Sequence, residues 1–113
     1  MNKTNSKKTL ADRAAAYLEE HYTDKFSLDQ IADSLYINKN YLARVFHAQT
    51  GMTLLEYHNR MRCRKACELL RDPSLSISVV AFRTGFASSS HFSRIFRQYV
   101  GCTPSQYRRS IAN

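Results

Sequence analysis

The strongest constraint on this chain is that it repeats itself. Ser27-Leu-Asp-Gln-Ile-Ala32 returns as Ser76-Ile-Ser-Val-Val-Ala81, 49 residues later. Arg44, Phe46, Gly51, Thr53 and Tyr57 return unchanged as Arg94, Phe96, Gly101, Thr103 and Tyr107, now 50 residues later. The one-residue slip falls between these blocks, at Tyr36-Ile37-Asn38 against Gly85-Phe86-Ala87-Ser88. A turn absorbs an extra residue. A helix interior does not, because one insertion rotates everything beyond it by roughly 100°. Each unit therefore reads as two helices joined by a turn. Solenoid repeats need about three or more units to bury their faces, so two units imply a pair of small helical subdomains.

Periodicity fills in the rest. Ala11, Ala14, Ala15, Leu18 and Tyr22 keep helical spacing and predict a helix over 10–22. Ser27 starts a second helix, as a capping box with Gln30, and its stripe is Leu28, Ile31, Ala32 and Leu35. Asn38 caps a third, carrying Tyr41, Leu42, Val45 and Phe46 inward, and Gly51 ends it. Thr53 and Glu56 form a box opening the longest helix, which ends before Pro73 and stripes Cys63, Ala66, Cys67 and Leu70. Ser76 caps the fifth helix, with Ile77, Val80 and Ala81 inward, and Gly85 supplies the turn after it. Ser88 caps the sixth, with Phe92, Ile95 and Phe96, and Gly101 closes it. Thr103-Pro-Ser-Gln106 opens a short seventh helix with proline at its first position, running to about Ile111. The expected fold is all-α: about seven helices, two helix-turn-helix subdomains and a long linker helix. The expected segments are a basic arm over 1–9, a first subdomain over 10–52, the linker over 53–72 and a second subdomain over 73–113.

Charge is unevenly placed along the 113 residues, whose formal net charge is +8. Residues 1–37 hold five Lys/Arg against six Asp/Glu, and residues 38–72 hold seven against three. Residues 73–113 hold five Lys/Arg and no acid at all. A solvated surface explains some of this, and a polyanionic partner explains the acid-free stretch. Three cysteines, Cys63, Cys67 and Cys102, make no disulfide array. Cys63 and Cys67 share one helix face, but no second ligand pair stands at metal-binding spacing, so packing is their expected role and no metal or cofactor is expected. Reduced cysteines fit the cytoplasm. No apolar run approaches the ~18 residues of a membrane span, and the polar start carries no secretory signal. His21, His47, His58 and His91 have no Ser, Asp or Cys partner at a catalytic spacing, so no enzyme is expected.

The third and sixth helices carry different chemistry. With the inward positions removed, the third shows Lys39, Asn40, Ala43, Arg44 and His47. The sixth shows Ser89, Ser90, His91, Ser93, Arg94 and Arg97. A solvated helix face normally mixes Glu with Lys, and neither helix has an acid. Arg forks onto guanine, Asn pairs with adenine, and Ser or His reaches either. Arg44 and Arg94 occupy the same place in both units and are the foremost base-contact candidates.

Gly85-Phe-Ala-Ser-Ser-Ser-His-Phe-Ser-Arg-Ile-Phe-Arg97 followed by Gly101-Cys-Thr-Pro-Ser-Gln-Tyr-Arg108 resembles the C-terminal signature of AraC/XylS-type transcription regulators. Arg62-Cys-Arg-Lys-Ala66-Cys-Glu-Leu-Leu70 resembles their linker helix, and Asn40-Tyr-Leu-Ala-Arg-Val-Phe46 with Gly51 and Tyr57 their first unit. The resemblance runs from about residue 10 to 110. It implies two helix-turn-helix units gripping adjacent major grooves as a monomer. Base-facing positions would be Asn40, Ala43 and Arg44 in one unit, and Ser89, Ser90, His91 and Arg94 in the other. Phosphate-facing positions would be Ser27, Lys39, His47, Ser76, Ser88, Arg97 and Thr103. Three departures stand out: Tyr36 where the first turn usually has Gly, Cys63 for a branched aliphatic, and Ser88 for a common Asp cap.

The expected function is a sequence-specific, double-stranded-DNA-binding regulator, an activator, acting in the bacterial cytoplasm on the nucleoid. RNA polymerase is a candidate partner. A dimer is expected only through a domain absent from this chain, which reads either as a stand-alone small regulator or as part of a longer one. The alternatives are a helical adaptor docking an acidic protein, and a non-specific nucleic-acid binder.

Overall fold

In a computed structural model, residues 9–112 are described. The basic arm expected over 1–9 lies, apart from Thr9, outside them. Seven helices follow in order: α1 Leu10–Glu20, α2 Leu28–Ser34, α3 Lys39–Thr50, α4 Leu54–Leu69, α5 Ile77–Arg83, α6 Ser89–Val100 and α7 Pro104–Ile111. The described residues contain no strand. They divide into two units, one with residues up to 21 and 26–58, the other with 22–25 and 59 onward. Thus α4 gives its first turn to unit 1 and the remainder to unit 2.

The sequence repeat is a structural repeat. Helices α2 and α5 have seven residues each, and α3 and α6 have twelve each. Both first helices end in the same six-residue wrap. Ile37 N–H reaches Ala32 O at 3.0 Å, and Phe86 N–H reaches Ala81 O at 3.0 Å. Such a C-terminus needs a left-handed residue just past the helix. Unit 2 supplies Gly85 at φ +87°, and unit 1 supplies Tyr36 at φ +56°. Ala87 is the inserted residue, and it falls in the turn between Phe86 and the cap Ser88.

Caps fix the helix starts. Ser27 and Ser76 accept from the N–H groups of Gln30 and Val79, at 3.2 and 3.1 Å. Reciprocal boxes close at Thr53/Glu56 and Thr103/Gln106. A further box, Thr9/Asp12, opens α1. At Ser27 the serine half of the expected box forms, while Gln30 is exposed.

Unit 1 buries Ala14, Leu18, Ile31, Leu42 and Phe46 around one core. Unit 2 does the same with Ala66, Leu70, Val80, Phe92 and Phe96. Each unit closes on one edge-to-face ring pair, Phe46–Tyr57 at 5.8 Å and Phe96–Tyr107 at 5.8 Å. Ala14 and Ala66 are both wholly buried. A methyl at that point lets helices pack closely, and a larger side chain would overfill the site. In unit 2, the buried Arg62 donates from Nε to Tyr22 O at 2.7 Å and from Nη2 to Asp24 O at 2.6 Å. Burial lowers its pKa, with Asp24 opposing. The guanidinium holds its place there because its planar fork answers two backbone carbonyls at once.

Cys63 is buried, and Cys67 is half-buried where the stripe predicted full burial. Desolvation pushes the Cys63 thiol up to about 12, aided by Cys67 and opposed by Arg62. Burial also raises Cys67, against its hydrogen bond with Tyr107. No group of three or more His, Cys, Asp or Glu side chains is placed to hold a metal among the described residues.

Candidate nucleic-acid interface

In unit 1 the exposed face belongs to α3. Asn38 Oδ1 accepts from the N–H groups of Asn40 and Tyr41, at 2.9 and 3.0 Å. Leu42 and Phe46, both fully buried, then fix the rotation of the helix. Asn40, Arg44 and His47 are left exposed, and Ala43 half-buried. Lys39 Nζ pairs with Asp29 Oδ1 at 3.0 Å, both largely exposed. Tyr41 departs from the expected inward stripe: it is 46 % exposed. Its ring instead lies under Arg44, whose guanidinium carbon is 5.2 Å from the centroid. The i, i+3 spacing that makes a residue look like a stripe member also places it beside an outward arginine.

In unit 2 the corresponding face belongs to α6. Ser88 Oγ accepts from His91 N–H at 3.1 Å, and Phe92 and Phe96 fix the rotation. Ser90, Arg94 and Arg97 are exposed. Ser89 is half-buried and hydrogen-bonds Ser78 through its hydroxyl at 3.0 Å. His91 is half-buried, edge-on to Phe86 at 5.6 Å. Arg94, Arg97, Ser93, Gln98 and Thr103 line one open concavity of about 550 Å³. It places two guanidinium groups beside the N-terminus of α7. There the Thr103 hydroxyl oxygen accepts from Gln106 N–H while keeping its own proton to donate, and Pro104 has no N–H. The Ser105 N–H is the first-turn donor left for an anion. Gln98 was not singled out in the sequence, although it lies four residues after Arg94 and so on the same helical face.

Position for position, unit 1 answers with different chemistry. Ala43 stands for Ser93, His47 for Arg97 and Ala48 for Gln98. Ala43 and Thr53 line a smaller cavity of about 200 Å³ with Phe26, Leu28, Leu54 and Leu55, largely apolar. The hydroxyls of Ser27, Ser76, Ser88 and Thr103 are all engaged in capping. What these positions can present to a phosphate is backbone N–H together with the hydroxyl's own proton, because each oxygen accepts in the cap and keeps its O–H to donate.

Two helical units, each displaying an acid-free helix over a capped neighbour, define a helix-turn-helix DNA-binding domain. A helix-turn-helix domain family model matches residues 31–110. The transcriptional activator RhaS of Escherichia coli (strain HS) is 38 % identical over 94 residues, covering 83 % of this chain and 34 % of the relative. The chain thus spans about a third of the length of the curated relatives it matches. The C-terminal domain of AraT, a response regulator of Geobacillus stearothermophilus, superposes with TM-score 0.85 at 30 % identity, over 91 % of this chain and 86 % of that one. The DNA-binding domain of AdpA, solved with a target DNA, superposes with TM-score 0.82 at 27 % identity, over 91 % and 93 %. The chain belongs to the AraC/XylS-type helix-turn-helix family.

Proposed function

We propose that this chain binds a specific double-stranded DNA site and regulates transcription there, as an activator, with α3 and α6 entering adjacent major grooves. The observation that carries the reading is the pair of acid-free outward faces, above all the concavity of Arg94, Arg97 and Thr103. Arg44, Asn40 and Ala43 face bases from unit 1, and Arg94, Ser90, Ser89 and His91 from unit 2. Of these, Arg94 and Arg44 are exposed forks of donors, suited to guanine O6 and N7. Ser89 and His91 sit lower on the face, held by Ser78 and Phe86, and contribute less reach. Lys39, His47, Arg97 and the helix starts at Ser27, Ser76, Ser88 and Thr103 meet phosphates. RhaS is named an activator, and the AdpA domain was solved on DNA; both support the direction of the proposal. In this reading residues 10–52 and 73–113 act as the two reading subdomains and 53–72 as their linker. One copy occupies one site in the bacterial cytoplasm, with RNA polymerase the partner to be recruited.

The test is selection from a random duplex library with the purified chain. A motif of two unlike half-sites is the expected result. Salt-sensitive binding with no motif would leave a non-specific binder, and no binding at all would leave the protein-docking alternative.

A further inference from the structure

Tyr41 belongs to no core. It is half-exposed, while its neighbours Leu42 and Phe46 are fully buried. Its ring lies one helical turn before Arg44, with the guanidinium carbon 5.2 Å from the ring centroid. That is within the roughly 6 Å over which a ring face attracts a cation. An exposed arginine otherwise samples many rotamers, and each must be given up when the side chain forks onto a base. A ring that already holds the guanidinium removes part of that loss and restricts the directions in which the fork points. Unit 2 carries a different ring at this place. His91 stands at the equivalent position, and its ring meets Phe86 edge-on at 5.6 Å.

We infer that Tyr41 is a positioning residue for base reading: it orients Arg44 and so sharpens preference at the base pair Arg44 contacts. The inference rests on the reading of α3 as a base-reading helix. It also assigns the two arginines unlike roles. Arg44 is braced by an aromatic ring, whereas Arg94 opens on a polar concavity lined by Ser93, Arg97, Gln98 and Thr103.

The experiment is the full base-preference profile of the 113-residue chain and its variants, measured by competition on a randomised duplex. Arg44→Ala and Arg94→Ala first mark which base pairs each arginine reads. Tyr41→Leu is then expected to lose about two- to five-fold preference at the Arg44 base pair, the size of an exposed cation–π contact. Preferences at the Arg94 base pair should not move. Tyr41→Phe keeps a ring face and should restore the profile. Tyr41→Gln, a polar residue tolerated at a half-exposed site, should behave as Leu does and guards against a folding effect in the leucine variant. On top of Arg44→Ala, Tyr41→Leu should cost nothing further at that base pair. A Tyr41→Leu profile equal to wild type overturns the inference while leaving the base-reading role of α3 intact. So does a uniform loss at every base pair, or a loss shared by Tyr41→Phe, which would assign the hydroxyl a direct contact. A wild-type chain without a motif, or an Arg44→Ala profile unchanged from wild type, overturns the reading of α3 and this inference with it.

Discussion

The turn residue after α2 and α5 offers a substitution pair of opposite sign. Tyr36 and Gly85 occupy the same place in the repeat, and both are left-handed, at φ +56° and +87°. For an L-residue that conformation costs roughly 1–2 kcal/mol, and glycine escapes it. Tyr36 is 95 % exposed, so removing its ring forfeits little burial. Glycine adds back roughly 0.5–1 kcal/mol of unfolded-state entropy. Tyr36→Gly should therefore stabilise the protein by about 0.5–1 kcal/mol. Gly85→Ala moves the other way. A Cβ there would stand 2.6 Å from Thr23 O, 2.7 Å from Thr23 Cα and 2.9 Å from Thr23 C. These are backbone atoms, which no rotamer change can clear. Adding an overpacking cost of about 1–3 kcal/mol to the conformational one, less the roughly 0.5–1 kcal/mol that losing glycine returns through the unfolded state, gives roughly 1–4 kcal/mol of destabilisation. Gly51→Ala is the control: φ is +79°, but nothing lies within 4 Å of the new Cβ, so only the conformational cost applies. Urea unfolding reads all three, as midpoint shifts at constant slope, and melting should rise by a few degrees for Tyr36→Gly. Destabilisation by Tyr36→Gly, or a Gly85→Ala cost no greater than that of Gly51→Ala, would refute the reasoning.

Other outcomes are open to measurement. Arg94→Ala should weaken binding to the selected site by about 1–3 kcal/mol and relax one or two base pairs; an equal loss on scrambled DNA would make it a phosphate contact. With twelve Lys/Arg between residues 38 and 113 and about six to eight of them on phosphates, log affinity against log salt should slope by about −5 to −7. A flat plot would favour a protein partner. Burial holds the Cys63 thiol neutral up to about 12, against 9.0 for the free group. The folded state thus keeps a proton that the unfolded chain releases first, so stability is intact below pH 9 and falls as pH rises from there toward 12. Cys63→Ala should flatten that alkaline decline in a denaturation series, and a decline of the same steepness in the variant would contradict it. Finally, Phe46→Ala and Phe96→Ala each empty a wholly buried site and should cost about 3–5 kcal/mol in unfolding experiments.

Much of the framework was legible because it rests on short-range rules. Caps, the two closing glycines and the slip at Ala87 are matters of hydroxyl placement and positive φ, which a linear string displays directly. The correspondence of α1 with the later part of α4 was not legible. Ala11, Ala14 and Leu18 align with Cys63, Ala66 and Leu70 at an offset of 52, and only a shared smallness and burial connects them. Packing conserves volume there and leaves identity free, so no residue-by-residue echo survives. Tyr41 was misplaced for a related reason. An aromatic flanking a buried leucine satisfies the helical period, and only its rotation about α3 shows that the ring turned toward Arg44. Gln98 escaped notice because it gains its place from the concavity and from no motif. The assignment of individual side chains to bases or phosphates lay beyond the string altogether, since it depends on where DNA would run.

What the duplication kept and what it changed point the same way. The serine caps of α2 and α5, the left-handed turn, the fully buried Phe46 and Phe96 and the tyrosine closing each core recur because both units must hold the same backbone. Any divergence there would cost stability in that unit alone. The outward positions are free of that demand, and around the shared Arg44 and Arg94 they differ: Asn40 against Ser90, Tyr41 against His91, Ala43 against Ser93, His47 against Arg97. A surface that only needed to be basic would have had no reason to become apolar at Ala43 and cationic at Arg97 within one repeated scaffold. In the proposed reading, two faces that share an arginine and differ around it read two unlike stretches of DNA. A single copy of the chain should therefore saturate a site with no internal symmetry, at one protein per duplex. A palindromic requirement with two copies bound would mean that the two faces read the same sequence, and the divergence of their side chains would then have no explanation in recognition.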